Sequence, residues 1–227
     1  MFLFDPLYLL FISPALLLGF LAQMWVKSTY ASASQIPVGI SGATAARQVL
    51  NSLGLQHVDI EEVPGHLSDH YDPREKVLRL SREVYHNHNM AAIGIALHEA
   101  GHAIQDAKGY IPLVIRNLAV PAANFGSSGG MILLVLGLLM NFQPLLLAGI
   151  ALFSCVVFFQ LVNLPVEFNA SSRAKEAVIM SGFVKPQEIG PINKMLWAAA
   201  LTYVAATLQS VLTLLYYILR FSRRSND

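Results

Sequence analysis

The sequence is poor in charged residues and in cysteine, and each shortage excludes a class of protein. Only 13% of the 227 residues are charged, about half the share of an ordinary soluble domain, and the net charge is +1. Such a chain offers no electrostatic basis for binding nucleic acid. The single cysteine, Cys155 in FSCVVFF, cannot form an internal disulfide, and its apolar surroundings argue against a reactive thiolate.

Long apolar runs take the place of the missing charge, since 55% of the residues are hydrophobic. Residues 2–25 exceed the roughly 18 needed for a membrane span. Because no lysine or arginine precedes this run, we expect an uncleaved anchor rather than a signal peptide. A second run without any charge is long enough for two spans, 117–140 and 144–163, joined by a turn at NFQP. The fourth predicted span is 195–219.

Small residues interrupt the predicted hairpin. Pro121 and the GSSGG stretch at 126–130 should bend or loosen its first helix. Gly126 and Gly130 also form a G-x-x-x-G pattern, which is typical of close helix contacts. The sequence leaves open whether those contacts join two chains or pack the hairpin internally.

The polar region at 27–116 has the pattern of a small α+β unit. A helix should begin after Ser41 and end at Gly54. Residues 58–63 alternate as a strand does, and 66–71 and 76–81 read as two more strands around an Asp-Pro turn. Asn89 is placed to cap the next helix. The predicted fold class is therefore an α-rich membrane protein with about four transmembrane helices and a small α+β region.

The helix after Asn89 carries the motif HEAGH. Its two histidines, His98 and His102, are four residues apart, so they share a helix face and can bind one metal ion. Glu99 is placed to reach a water molecule on that ion, which is why H-E-x-x-H is typical of zinc with a general base. Gly101 weakens a helix by roughly 1 kcal/mol relative to alanine, so we expect another backbone to pack closely there.

A catalytic zinc ion needs a third protein ligand from the same side of the membrane. The hairpin crosses twice, so the residues after 162 return to the side of His98, and Glu167 is the first carboxylate there. Asp106 and Glu176 are alternatives. Asp106 is better placed to orient a ligand histidine.

HEAGHA followed, after an apolar hairpin, by LPVEFNASSRA resembles the YugP-type neutral zinc metallopeptidases of bacterial membranes, over most of the chain. The resemblance implies a zincin-like catalytic region with one zinc ion, held by His98, His102 and Glu167, and Glu99 as catalytic base. The chain is similar, more distantly, to gluzincin peptidases. Their HtpX-like membrane members carry E-x-x-x-D at the glutamate, where this sequence has Ser171 at the fifth position.

The expected function is hydrolysis of peptide bonds by a membrane-embedded zinc metalloendopeptidase. Its partners would be a peptide or protein substrate and the lipid bilayer. The transition-state oxyanion needs a further donor, and the candidates are Arg173, Tyr85 and His70. The strand at 76–81 is a candidate to pair with an extended substrate.

Two other functions are open. In a site-2-type intramembrane metalloprotease the motif would lie within a span, but only eight apolar residues precede His98, and Asp106 and Lys108 follow closely. A non-catalytic zinc-binding membrane scaffold would have no use for Glu99. It would also tend to close its site with four ligands, often cysteines.

The four predicted spans place both termini on one side of the cell membrane. Twelve of the 15 lysines and arginines lie on the other side, at 26–116 and 164–194. The positive-inside rule therefore predicts a catalytic site on the cytoplasmic face. The sequence predicts five divisions. They are an N-terminal transmembrane anchor at 1–26, a catalytic region at 27–116, a transmembrane hairpin at 117–163, a loop or helix with the third zinc ligand at 164–194, and a last span with a basic tail at 195–227.

Overall fold

The computed structural model describes residues 6–66 and 68–225 and consists mainly of helices. The helices are α1 Pro6–Ser34, α2 Gly42–Ser52, α3 Arg82–His86, α4 Met90–Ala107, α5 Ile111–Phe125, α6 Met131–Leu139, α7 Gln143–Met180 and α8 Gly190–Ser225, and the strands are β1 Asp59–Val63, β2 His70–Asp72 and β3 Val77–Ser81. The predicted fold class is confirmed. Residues 2–5 of the first predicted span, Leu67 of a predicted strand and the last two residues of the basic tail lie outside the described residues.

Four helical stretches of the described chain are long and apolar enough to cross a membrane: Pro6–Ser34, Ile111–Leu139, Gln143–Met180 and Gly190–Ser222. The predicted number of spans is therefore confirmed, but the helices run beyond the predicted ends. Helix α7 has 38 residues. At 1.5 Å per residue it is about 57 Å long, nearly twice the roughly 30 Å hydrocarbon core. Hydropathy identified only its apolar part.

The chain separates into two compact units. The five divisions predicted from the sequence were drawn at the membrane crossings, and they stay a prediction. The first, called the helical unit, comprises Met1–Leu21, Val114–Leu164 and Leu201–Asp227. A π-helical segment at Gly126–Gly130 loosens its second span, as predicted. A Cβ atom added at Gly130 would lie 3.0 Å from the backbone nitrogen of Phe153, and one at Gly126 would collide with the carbonyl of Leu152. In the described chain the G-x-x-x-G pattern therefore packs the hairpin internally.

The second, called the mixed unit, comprises Ala22–Leu113 and Pro165–Ala200. Its sheet has the order β1-β3-β2, with β1 parallel and β2 antiparallel to β3. Because β3 has a strand on both sides, the prediction that 76–81 pairs with a substrate is wrong. The core beneath the sheet includes Leu50, Leu78, Leu80, Ile93, Leu97 and Ile192.

Helix α4 begins and packs as its sequence predicts. The Asn89 side chain accepts a hydrogen bond from the backbone N–H of Ala92 at 2.9 Å, and Ser41 caps α2 in the same way. A Cβ atom at Gly101 would lie only 2.7 Å from the carbonyl oxygen of Ala170 on α7. The predicted close backbone contact at Gly101 is confirmed, and it holds α4 against the segment of α7 that carries Glu167.

Candidate metal centre

Two helices of the mixed unit bring three potential metal ligands together. His98 and His102 lie one turn apart on α4, and Glu167 lies on α7. The Nε2 atoms of His98 and His102 are 3.3 and 3.8 Å from the same carboxylate oxygen, Oε2 of Glu167. All three potential ligand atoms lie within 4.8 Å of one another.

The donors and their spacing suit zinc. Two imidazole nitrogens and one carboxylate oxygen are a ligand set found in catalytic zinc sites, which keep a fourth position for water. Ligand atoms at about 2.1 Å from a tetrahedral zinc ion are about 3.4 Å apart. The distances from Glu167 to the two histidines are close to that value, so an ion would fit with small side-chain movements.

Burial and charge perturb the pKa values of two neighbouring groups on α4, His98 and Glu99. Burial raises the pKa of Glu99 to about 7, opposed by the His98 charge and reinforced by the charges of Glu167 and Asp69. The backbone N–H of Tyr71, on β2, lowers it again by hydrogen bonding. Burial lowers the pKa of His98, but the hydrogen bond to Glu167 and the charges of Glu99 and Glu167 outweigh it, so the net pKa is raised.

Each histidine has a second polar contact through its other ring nitrogen. The Nδ1 atom of His98 lies 3.2 Å from the hydroxyl oxygen of Ser171. The Nδ1 atom of His102 lies 3.0 Å from Oε1 of Gln105, a fully buried side chain. Contacts of this kind set the ring orientation and leave both Nε2 atoms directed at Glu167.

The two alternatives to Glu167 lie elsewhere. Asp106 accepts hydrogen bonds from the hydroxyl of Tyr71 at 2.7 Å and from Nζ of Lys76 at 2.6 Å. Its predicted contact with His102 is made by the preceding residue, Gln105. Glu176 is exposed, because it follows Glu167 by about two and a half helical turns and so lies on the opposite face of α7.

Each of the three side chains predicted as an oxyanion donor contacts a residue outside the His-His-Glu cluster. The Nε atom of Arg173 donates to Oδ1 of Asn169 at 2.7 Å. The ring of Tyr85 lies 4.9 Å from that of His86, tilted by 59°, and Tyr85 lines a separate cavity of about 560 Å³. His70 is exposed on β2, and its Nδ1 atom lies 2.8 Å from the carbonyl oxygen of Ser68.

The sequence analysis did not predict the contacts that three polar residues make at the site: Gln105, Asn169 and Ser171. Their spacing could have indicated them. Gln105 is three residues after His102 on the motif helix, and Ser171 is four after Glu167, so each shares a face with a proposed ligand.

With four candidate spans and a His-His-Glu cluster, the described part of the chain has the features of a helical membrane protein with a candidate metal centre. Residues 8–222 match the family described as "Putative neutral zinc metallopeptidase". The chain is also 46% identical over 209 residues, 91% of its length and 93% of the relative's, to "Putative membrane protease YugP" of Bacillus subtilis (strain 168). The chain therefore belongs to this zinc metallopeptidase family of the membrane. No solved structure matches it.

Proposed function

We propose that this chain is a zinc metalloendopeptidase in which His98, His102 and Glu167 hold one catalytic zinc ion and Glu99 is the general base. One observation carries the proposal. The potential ligand atoms of two helices converge within 4.8 Å, and Glu99 lies next to His98 on the same helix. Membership of a zinc metallopeptidase family supports the identity of the metal.

The residues of the site divide the reaction between them. A zinc ion held by His98, His102 and Glu167 would supply Lewis acidity, which would lower the pKa of a water molecule to about 7 and polarise the peptide carbonyl. The carboxylate of Glu99 accepts the proton of the attacking water and then gives it to the leaving nitrogen. The N–H of Tyr71 holds that carboxylate in place.

Of the two other functions, the intramembrane protease is disfavoured by helix α4. It has 18 residues and is not among the four stretches of the described chain that could cross a membrane. A non-catalytic zinc scaffold predicts no effect of Glu99 on any cleavage, so the same experiment tests it.

The proposed substrates are peptides or proteins that reach a site beside the membrane. The relative from Bacillus subtilis is named a membrane protease, which supports this class of substrate. We also propose that the site faces the cytoplasm, because most lysines and arginines lie in the two segments that contain it.

The variant Glu99→Gln tests the base. It keeps the size of the side chain but cannot accept the proton, so cleavage of a casein-type substrate should fall at least about 100-fold. Zinc content, measured by metal analysis of the purified full-length protein in detergent, should stay at one ion per chain. Glu176→Gln, on the exposed face of α7, is the matched control and should cleave as wild type does. Equal cleavage by wild type and Glu99→Gln would refute the proposed base.

A further inference from the structure

Gln105 is a fully buried amide with three polar contacts. Its Nε2 atom donates to the carbonyl oxygen of Val166 at 2.8 Å and to Oδ1 of Asn169 at 3.1 Å. Its Oε1 atom lies 3.0 Å from Nδ1 of His102. Burying an amide without partners is costly, so this side chain has little freedom to turn.

These contacts determine which ring nitrogen of His102 carries the proton. A backbone carbonyl only accepts hydrogen bonds, so the end of Gln105 that faces Val166 must be its NH₂ group. The other end is therefore the oxygen, which can only accept. In neutral His102 the proton must then lie on Nδ1, and the lone pair on Nε2 points at Glu167.

At the other end of the network, Arg173 determines which atom of the Asn169 amide is the acceptor. A guanidinium group only donates, so the Asn169 atom 2.7 Å from its Nε must be the amide oxygen. That same oxygen accepts from Gln105. The orientation of both amides is thus set by two groups that cannot reverse their roles, the arginine and the carbonyl of Val166.

We propose that Gln105, Asn169 and Arg173 form a positioning relay, which locks His102 in the tautomer that offers Nε2 to a metal ion. The proposal rests on the proposed zinc site and adds to it three residues that do not touch the metal. It gives Arg173 a positioning role in place of the oxyanion role expected from the sequence. The relay serves His102 alone, because Ser171, the partner of His98, has a hydroxyl that can donate or accept.

Zinc affinity of the full-length protein in detergent, measured by competition with a chelator, tests the relay. Arg173→Met and Asn169→Leu should each weaken zinc binding at least about tenfold, as loss of a partner behind a metal ligand does. Asn169→Asp should bind zinc as tightly as wild type, because its carboxylate oxygens can still accept from both neighbours. Lys175→Met removes a cation from the same helix and should leave the affinity unchanged.

Thermal unfolding of the metal-free variants separates positioning from general damage. A purely structural role would lower the unfolding temperature of the metal-free protein but leave the zinc affinity of the folded protein unchanged, whereas the relay predicts weaker zinc binding by the folded variants, whatever their unfolding temperature. If one of the two disruptive variants does not fold, the other gives the same test. Unchanged affinity in either folded variant, or equal weakening in Asn169→Asp and Asn169→Leu, would overturn the relay and leave the zinc site standing. A wild-type chain that binds no zinc would overturn both.

Discussion

The side chain of Glu167 is a carboxylate held almost entirely out of solvent. It is 6% exposed, and a buried carboxylate is costly unless charged or polar groups compensate it. His98 and His102 supply that compensation, and the raised pKa of His98 records the same attraction from the histidine's side. The site is therefore arranged around one negative group toward which both imidazoles point.

Ser171 shows how a departure from a related pattern is accommodated. The more distant HtpX-like proteins have aspartate at this position, whereas the serine here contacts Nδ1 of His98. A hydroxyl is a weaker partner for an imidazole than a carboxylate, but it occupies less space beside the ring and adds no charge.

We expect Ser171→Ala to weaken zinc binding about tenfold, because His98 would lose the contact that orients its ring. The measurement is chelator competition on the purified protein. Ser172→Ala changes the exposed neighbouring serine and should bind zinc as wild type does. If the two variants have the same affinity, the hydroxyl of Ser171 does not orient His98.

Among the helices, the contact of α4 with α7 decides whether the site exists. Glu167, Asn169, Ser171 and Arg173 all belong to one uninterrupted helix, so a shift of α7 along α4 would displace them together. Gly101 permits the close approach, because its missing side chain leaves room for the backbone at Ala170. A one-carbon change at that point therefore bears on the whole metal centre.

Gly101→Ala should destabilise the protein by about 1–3 kcal/mol, because the added Cβ forces the two backbones apart. Alanine favours helix, so propensity alone predicts the opposite sign. Thermal unfolding in detergent is the measurement. Gly190→Ala is the control, since a Cβ atom there meets nothing within 4 Å. A Gly101→Ala protein as stable as the Gly190→Ala protein would show that the helices separate without cost.

For the whole molecule, the proposed orientation in the membrane follows from the number of candidate spans and from the distribution of basic residues. Crossing by all four candidate spans would place both termini on one side. The segments at 26–116 and 164–194, which hold the candidate site, would then lie on the other side together with twelve of the 15 basic residues. Charge bias thus proposes an orientation that neither helix packing nor the metal centre determines.

Cysteine labelling in intact cells tests that orientation. In a Cys155→Ala background, Lys185→Cys should resist a membrane-impermeant maleimide until the cells are opened, since the Lys185 side chain is 79% exposed and would face the cytoplasm. Phe142→Cys, in the turn of the hairpin, is the matched position on the opposite side and should react in intact cells. The reverse pattern would place the site outside the cytoplasm.

Local patterns determined much of this protein. Apolar runs specified four spans, because a helix in lipid must be apolar over its whole crossing. The spacing of His98 and His102 placed them on one helix face, and Ser41 and Asn89 marked two helix starts. Gly101 predicted that another backbone packs closely against its helix. Each of these follows from interactions within a few residues, which is the range over which a periodic pattern carries information.

Only the tertiary structure decided which residues meet across helices. It placed Glu167 rather than Asp106 or Glu176 against the histidines, and it joined Gln105 to Asn169. Those partners are more than 60 positions apart in the chain, and no repeat or cap spans such a distance. Their meeting depends on how α4 packs on α7, and that packing is fixed by the shapes of two complete helix surfaces.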